Sequence, residues 1–227
     1  MLAVVLVEPF YEENVGLIAR VMKNFGFRKL ILVNPKCNHL SGKAKSRAMH
    51  AVDILQKAKI FDSLNNALRK FDIVIATTAQ RTRYNSLRRT TVEPNNIANI
   101  INAKARIALL FGREPTGLTN EEIAKADFLV SIPTSKRYPT LNITHAAAIL
   151  LYTFFISKKK SRTEFAGRKI KELLIKHFSE LAYKTKARNP ELTIKAFKAL
   201  ISRGVITEKE ASAVLLVLSR ANNKIQE

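Results

Sequence analysis

The sequence predicts an α/β domain, a parallel sheet with helices on both faces, followed by a small α-helical appendage. Three observations predict it. Apolar runs of strand length recur through residues 1–157, and segments with helical spacing separate them. This alternation stops at the basic run Lys158-Lys159-Lys160-Ser161-Arg162. Beyond that run the remaining patterns are all helical. The predicted boundaries are therefore 1–157 for the α/β domain, 158–164 for a basic linker and 165–227 for the appendage. With 47% apolar residues in 227, the chain can bury a sizeable core.

Residues 2–7 (Leu-Ala-Val-Val-Leu-Val) form a continuous apolar run, as expected of a strand covered on both faces. Similar runs follow at 29–33, 72–76, 106–111 and 128–132. The first helical pattern begins near Asn14 and ends at Gly26, with Val15, Ile18, Val21, Met22 and Phe25 at helical spacing. Asn14 suits an N-cap there, and Gly26 a C′ position. Further helical patterns cover about 42–57, 63–70, 94–103 and 119–126. The last of these opens with Thr119 and Glu122 at capping-box spacing. One more helix starts around Asn142 and runs to about Lys158. In the appendage, residues 165–187 have helical spacing. Asn189-Pro190 breaks the pattern, and Pro190 suits the opening of a second helix that ends near Gly204. Thr207 and Glu210 mark the start of a third.

The charge points to a partner. The chain carries 39 Lys or Arg against 18 Asp or Glu, a formal net charge of +21. A surface this basic attracts a polyanion such as RNA or DNA. A lysine-rich thermophile surface is the alternative, but such surfaces usually balance Lys with Glu. The density rises in the appendage, where residues 158–227 hold 17 basic and 7 acidic side chains. That density favours an RNA-gripping element over a dimerisation arm. The longest apolar stretch, Ala146 to Ile156, is shorter than the roughly 20 residues needed to cross a bilayer. No signal-peptide pattern opens the sequence, so a cytoplasmic protein without a membrane partner is expected.

Several chemistries are missing their signatures. No Gly-x-Gly-x-x-Gly turn follows the first apolar run, and Gly42-Lys43 lacks the spacing of a P-loop. No Gly-x-Ser-x-Gly elbow occurs. His39, His50, His145 and His177 are scattered, and Cys37 is the only cysteine. Neither a metal site nor an internal disulfide is expected.

Three segments remain, each at the C-terminal end of a predicted strand, where open α/β sheets hold ligands. The first runs from Glu8 to Arg20 and includes Asn14-Val15-Gly16. Asn14 and Arg20 lie on neighbouring turns of one helix and can approach a common site. The second is Phe111-Gly112-Arg113-Glu114-Pro115-Thr116-Gly117-Leu118-Thr119. The third is Ile132-Pro133-Thr134-Ser135-Lys136-Arg137-Tyr138-Pro139-Thr140-Leu141-Asn142-Ile143.

Together these resemble the three motifs of the SPOUT superfamily of knotted, S-adenosylmethionine-dependent RNA methyltransferases, and more narrowly its ribose 2′-O-methylating branch. The finer resemblance is to the subfamily that modifies nucleotide 32 of the tRNA anticodon loop. It is carried by Gly112-Arg113-Glu114 followed by Thr119-Asn120-Glu121-Glu122, by Tyr138 near Leu141-Asn142, and by a helical extension containing Arg188-Asn189-Pro190. Pro139-Thr140 departs from the family, which often has serines before Leu-Asn; Thr140 keeps a hydroxyl.

The resemblance implies a trefoil knot late in the α/β domain and a homodimer with its active sites near the subunit interface. It implies S-adenosylmethionine as cofactor and tRNA as partner. For the cofactor it implies Thr77, Thr78 and Ala79, then Leu110, Gly112 and Gly117, then Ile132, Thr140, Leu141 and Asn142. Gly112 and Gly117 can equally serve turn geometry alone. For catalysis it implies Arg20, Asn14, Glu114, Thr140 and Tyr138. A guanidinium holds its proton too tightly to be a good base, so Arg20 suits a phosphate clamp that stabilises charge on the 2′-oxygen. Asn14 supports Arg20 or caps its helix, and Glu114 orients either of them or holds a structural ion pair. The basic segment 80–89, with Arg81, Arg83, Tyr84, Arg88 and Arg89, suits an RNA-binding loop in which Tyr84 stacks on a base. A ribosomal RNA 2′-O-methyltransferase and a non-catalytic RNA-binding protein are the rival expectations.

Overall fold

The sheet is parallel throughout and is buried on both faces. It is seen in a computed structural model that describes residues 1–79, 91–100, 105–157, 166–185, 188–203 and 206–224. The chain begins with β1 (Leu2–Val7), α1 (Glu12–Asn24), β2 (Lys29–Val33) and α2 (Gly42–Ala48). A 3-10 turn (Met49–Ala51) leads to α3 (Val52–Gln56), β3 (Lys59–Phe61), α4 (Leu64–Leu68) and β4 (Ile73–Thr77). Next come β5 (Thr91–Val92), α5 (Pro94–Ile100), β6 (Ile107–Phe111), α6 (Asn120–Ile123) and β7 (Phe128–Val130). The helices α7 (Ile143–Ile156), α8 (Arg168–Lys184), α9 (Pro190–Arg203) and α10 (Glu208–Lys224) complete the described chain.

The seven described strands lie in the order β3-β2-β1-β6-β4-β7-β5. Val5 of β1 is in register with Ile31 on one side and Leu110 on the other. Strand alternation splits the core in two. Val4, Leu6, Ile75, Leu109 and Phe111 face Val15, Ile18 and Met22 of α1 and Leu150 of α7. Ala3, Val5, Val74, Ala76 and Leu110 face Leu64, Ala67 and Leu68 of α4. Burial on both faces is the reason these strands read as unbroken apolar runs.

Three details depart from the sequence reading. The edge strands β3 and β5 were not anticipated. They are three and two residues long, and all but β3's Lys59 and Ile60 are only half-buried, so neither carries an apolar run. The pattern over 42–57 is not one helix. The backbone of Met49 turns left-handed at φ 51° and ends α2 there. Helix α1 starts at Glu12, with Tyr11 at its N-cap, so Asn14 sits inside the first turn and is not the cap. Its far end is as expected. Gly26, at φ 75°, donates its N–H to the Lys23 carbonyl at 3.1 Å, and Phe27 donates to Met22 at 2.8 Å, the double closure of a Schellman motif.

The appendage folds around Ala166, Leu174, Ile201 and Ala211, with the rings of Phe178 and Phe197 stacked 3.8 Å apart. Its caps match expectation. Leu192 N–H donates to Asn189 Oδ1 at 3.0 Å beside Pro190, and Thr207 and Glu210 bond reciprocally. Helix α8 docks on the α/β domain. The buried Lys171 ammonium lies 3.2 Å from Asp127 Oδ1, and Asp127 Oδ2 also accepts the Val74 N–H at 2.8 Å. Among the described residues no helix is long and apolar enough to cross a membrane.

Candidate active site

A cleft of about 1500 Å³ opens at the carboxyl ends of the neighbouring strands β6, β4 and β7. Two hydrogen bonds fix its floor. Thr77 Oγ1 donates to the Leu110 carbonyl at 2.9 Å, and Thr78 N–H donates to the Val130 carbonyl at 3.0 Å. Thr77, Thr78, Ala79, Gly112, Glu114, Gly117, Ile132, Tyr138, Thr140, Leu141 and Asn142 all line this cleft. Leu110 does not. Its side chain is fully buried in the second core, because the strand's alternation turns it away from the cleft. Arg81, Arg83, Tyr84, Arg88 and Arg89 lie outside the described residues.

The wall formed by 112–119 is a loop closed on itself. Arg113 N–H donates to the Gly117 carbonyl at 3.2 Å, and Gly117 N–H returns to Arg113 at 2.8 Å. A Cβ on Gly112 would stand 2.2 Å from the Gly117 carbonyl carbon and 2.3 Å from the Leu118 nitrogen. Turn geometry therefore requires glycine at 112, whatever the cleft holds. The capping box of α6 anchors the far end of the loop, with Thr119 N–H donating to Glu122 Oε2 at 2.7 Å.

Arg113 ties this loop to the sheet, a role the sequence reading missed. Its guanidinium donates to Glu8 Oε2 at 2.7 Å and to both oxygens of Glu122 at 3.0 Å. Glu8, at φ 45°, accepts from Asn34 Nδ2 at 2.7 Å, which draws in the end of β2. The Arg113 hydrogen bond and charge hold Glu8 below its ordinary pKa. Glu122 is also lowered, because its bonds to Arg113 and Thr119 outweigh burial, which alone would raise it. Both depressed carboxylates add stability above their ordinary pKa, and that stability is lost as pH falls through the lowered folded values. Arg113→Met should cost about 2–3 kcal/mol at neutral pH and flatten the acid limb of a stability-pH curve. A variant with the parent's thermal midpoint at pH 7 and pH 4 would remove Arg113 from this role.

Glu114 joins the cleft to α1. Its carboxylate accepts the Phe10 N–H at 3.1 Å, the Tyr11 N–H at 3.4 Å and Asn14 Nδ2 at 3.1 Å. An anion at this N-terminus also complements the helix dipole. Of the contacts expected of Glu114, with Asn14, with Arg20 or in an ion pair, the one seen among the described residues is with Asn14. Asn14 is buried behind the cleft and does not line it. Arg20 is also outside the cleft. It is exposed and has no hydrogen bond or ion pair among the described residues. The helical period put Asn14 and Arg20 on one helix without showing that the Asn14 side chain meets the cleft wall through Glu114. Gly16 lets α1 approach α2, since a Cβ there would lie 2.2 Å from the Ala44 carbonyl oxygen.

The third wall, 131–142, is held by Thr134 Oγ1 donating to the Pro139 carbonyl at 3.0 Å. Asn142 caps α7 by accepting the Thr144 N–H at 2.8 Å, and it also lines the cleft. Tyr138 is 79% exposed, and the Thr140 hydroxyl has no partner among the described residues. Cys37 is set aside as a nucleophile, since burial and three nearby glutamates push its thiol up to about 11. Among the described residues no group of His, Cys, Asp or Glu is placed to hold a metal.

The appendage supplies part of the cleft, which the sequence reading had confined to residues before 143. Ile175 of α8 and Lys195, Lys198, Ala199 and Ser202 of α9 complete its lining. Deleting the appendage would therefore open the cleft as well as remove basic charge.

The sequence pattern of the SpoU rRNA methylase family matches residues 1–152. The tRNA (cytidine-2′-O-)-methyltransferase TrmJ of Methanocaldococcus jannaschii is 42% identical over 222 residues, covering 93% of this chain and 95% of that protein. The enzyme of the same name from Sulfolobus acidocaldarius is 33% identical over 221 residues, covering 95% and 91%. Among solved structures, TrmJ from Z. mobilis superposes with a TM-score of 0.71 at 26% identity, over 97% of this chain and 98% of the other.

Proposed function

The chain belongs to the SpoU rRNA methylase family, and from that membership we propose that it methylates a ribose 2′-hydroxyl of tRNA, at nucleotide 32 of the anticodon loop, with S-adenosylmethionine as donor. One observation carries the reading. The second and third motifs and the turn after β4 line one cleft, which the first motif joins through the Asn14–Glu114 hydrogen bond, next to an appendage that lies within the stretch matched to relatives named as tRNA methyltransferases.

The residues present fit this cofactor. Leu118, Leu129, Ile132, Leu141 and Leu150 offer apolar surface for a purine, and turns at 77–79, 112 and 140–141 bring backbone polar groups to the same space. Glu114 and Glu121 supply negative charge compatible with a sulfonium. When bound, S-adenosylmethionine supplies an electrophilic methyl group. The work of the chain is then to orient a weak nucleophile and offset charge on its oxygen. Thr140 and Tyr138, unpaired or exposed at the cleft, orient the ribose. Arg20 clamps the adjoining phosphate and stabilises the 2′-oxygen.

Arg20 lies off its own chain's cleft, so the reading includes a homodimer that brings it to the partner's cleft. The surface for this is apolar. On α7, Tyr152 and Phe155 are 51% and 38% exposed, each with its ring 5.8 Å from Phe25 at the end of α1. Tyr152→Glu with Phe155→Glu should yield a monomer by sedimentation that binds cofactor and has lost methylation. A dimeric, active double variant would refute this arrangement. The reading also carries cytoplasmic action and a trefoil knot, for which the support is the tRNA substrate and the family respectively.

Incubation with labelled S-adenosylmethionine and total RNA, followed by sizing, tests the substrate class. Label in the tRNA band is expected. Label confined to ribosomal RNA would favour the family's other branch, and no labelled RNA would leave a binding protein.

A further inference from the structure

The cleft continues beyond the cofactor motifs. Lys195, Lys198, Ala199 and Ser202 are three, one and three residues apart and share one face of α9, and this face lines the cleft. Past the two lysines the surface opens into a second hollow of about 280 Å³, lined by Tyr183, Glu191 and Ile194 together with the same lysines. Lys195 and Lys198 thus border both spaces. Both are exposed, and neither has an ion-pair partner among the described residues. Acidic groups are near as well, with Glu191 on the hollow and Glu114 and Glu121 on the cleft. The Tyr183 side chain is 58% exposed.

We propose that this hollow is a nucleotide subsite for the unpaired RNA residue flanking the one whose ribose enters the cleft. The proposal rests on the RNA-methylation reading above. A phosphodiester that joins a nucleotide in the cleft to one in the hollow must cross their shared rim, where Lys195 and Lys198 stand. Ammonium groups there act as point-charge phosphate binders. The Tyr183 ring and Ile194 provide an aromatic and apolar surface for a base face. The Glu191 carboxylate only accepts hydrogen bonds, so it suits a base with an exocyclic amino group and disfavours a second phosphate. The appendage then selects substrate at the nucleotide beside the reacting one, in addition to attracting RNA by its overall charge.

The test uses the full chain with a tRNA transcript, measuring tRNA affinity at several salt concentrations, single-turnover methylation and S-adenosylhomocysteine affinity. Lys195→Ala with Lys198→Ala is compared with Lys209→Ala and Lys224→Ala, which remove the same charge from α10, away from both spaces. The first pair should weaken tRNA binding at least tenfold and flatten the salt dependence by about 0.7–0.9 log units per lost contact, and the second pair less than threefold. Tyr183→Ala should weaken tRNA binding about five- to 150-fold, as expected for one lost stacking contact, and Tyr183→Phe should keep more affinity because it keeps the ring. S-adenosylhomocysteine affinity should be unchanged throughout. Equal losses from the two lysine pairs would overturn the subsite in favour of a diffuse field. Weakened S-adenosylhomocysteine binding with unchanged tRNA binding would overturn it in favour of a cofactor contact. If the parent protein methylates tRNA and the variants match it, the subsite alone fails. If the parent neither binds nor methylates tRNA, the functional reading fails with it.

Discussion

Arg20→Ala is expected to lower the single-turnover rate of methyl transfer by about a hundred- to a thousandfold, the loss typical of removing one preorganised charge stabiliser. Cofactor affinity should stay within a few-fold, because Arg20 lines none of its own chain's cleft and is assigned to the RNA phosphate and 2′-oxygen. The effect should fall on the chemical step. An arginine cannot give up its proton at physiological pH, so its contribution is a fixed positive charge with a forked set of donors. Arg20→Lys keeps the charge and loses the fork, so it should fall between the parent and the alanine variant. Folding should be little affected, since the side chain is exposed and no hydrogen bond or ion pair among the described residues depends on it. A near-normal single-turnover rate in Arg20→Ala would remove the residue from the mechanism.

Gly112→Val is expected to abolish measurable cofactor binding and to lower the thermal midpoint. The added Cβ would meet backbone at 2.2, 2.3 and 2.6 Å, and backbone cannot rotate away as a flexible side chain can. The loop must open, which breaks the Arg113–Gly117 bridge and releases the hydrogen bond from Arg113 to the Gly117 carbonyl. Overpacking of this kind costs about 1–3 kcal/mol in stability. The larger consequence is a displaced wall of the cleft, and Glu114 moves with it. Gly112→Ala should already show most of the effect, because the clash comes from the Cβ itself. A Gly112→Ala protein with the parent's cofactor affinity and midpoint would contradict the loop geometry.

The legible parts of the fold were those in which one residue type answers one local requirement. Apolar runs marked strands such as β1 and β6 because both of their faces are buried. The capping boxes at Thr119 and Thr207, Pro190 at the start of α9 and Gly26 past α1 were readable because each satisfies backbone groups at a helix end. What was not legible depends on long-range placement. Glu114 reaches the start of α1 across a hundred residues of chain, so its choice between Asn14 and Arg20 could not be read from spacing. Arg113 is an ordinary surface-type residue in sequence, and only the fold brings Glu8 and Glu122 to it. Lys195 and Lys198 had a detectable signal, an i, i+3 basic pair followed by small residues. Their position on the cleft required the docking of α8 through Lys171 and Asp127.

The central claim is that the cleft serves transfer of one methyl group to one ribose of tRNA. Mass spectrometry of nuclease-digested tRNA, after reaction with the purified protein and S-adenosylmethionine, tests it most directly. The account predicts a gain of one methyl mass on the ribose of nucleotide 32, absent when Arg20→Ala replaces the parent. A methyl group on a base, on ribosomal RNA alone, or at a tRNA ribose outside the anticodon loop would contradict it.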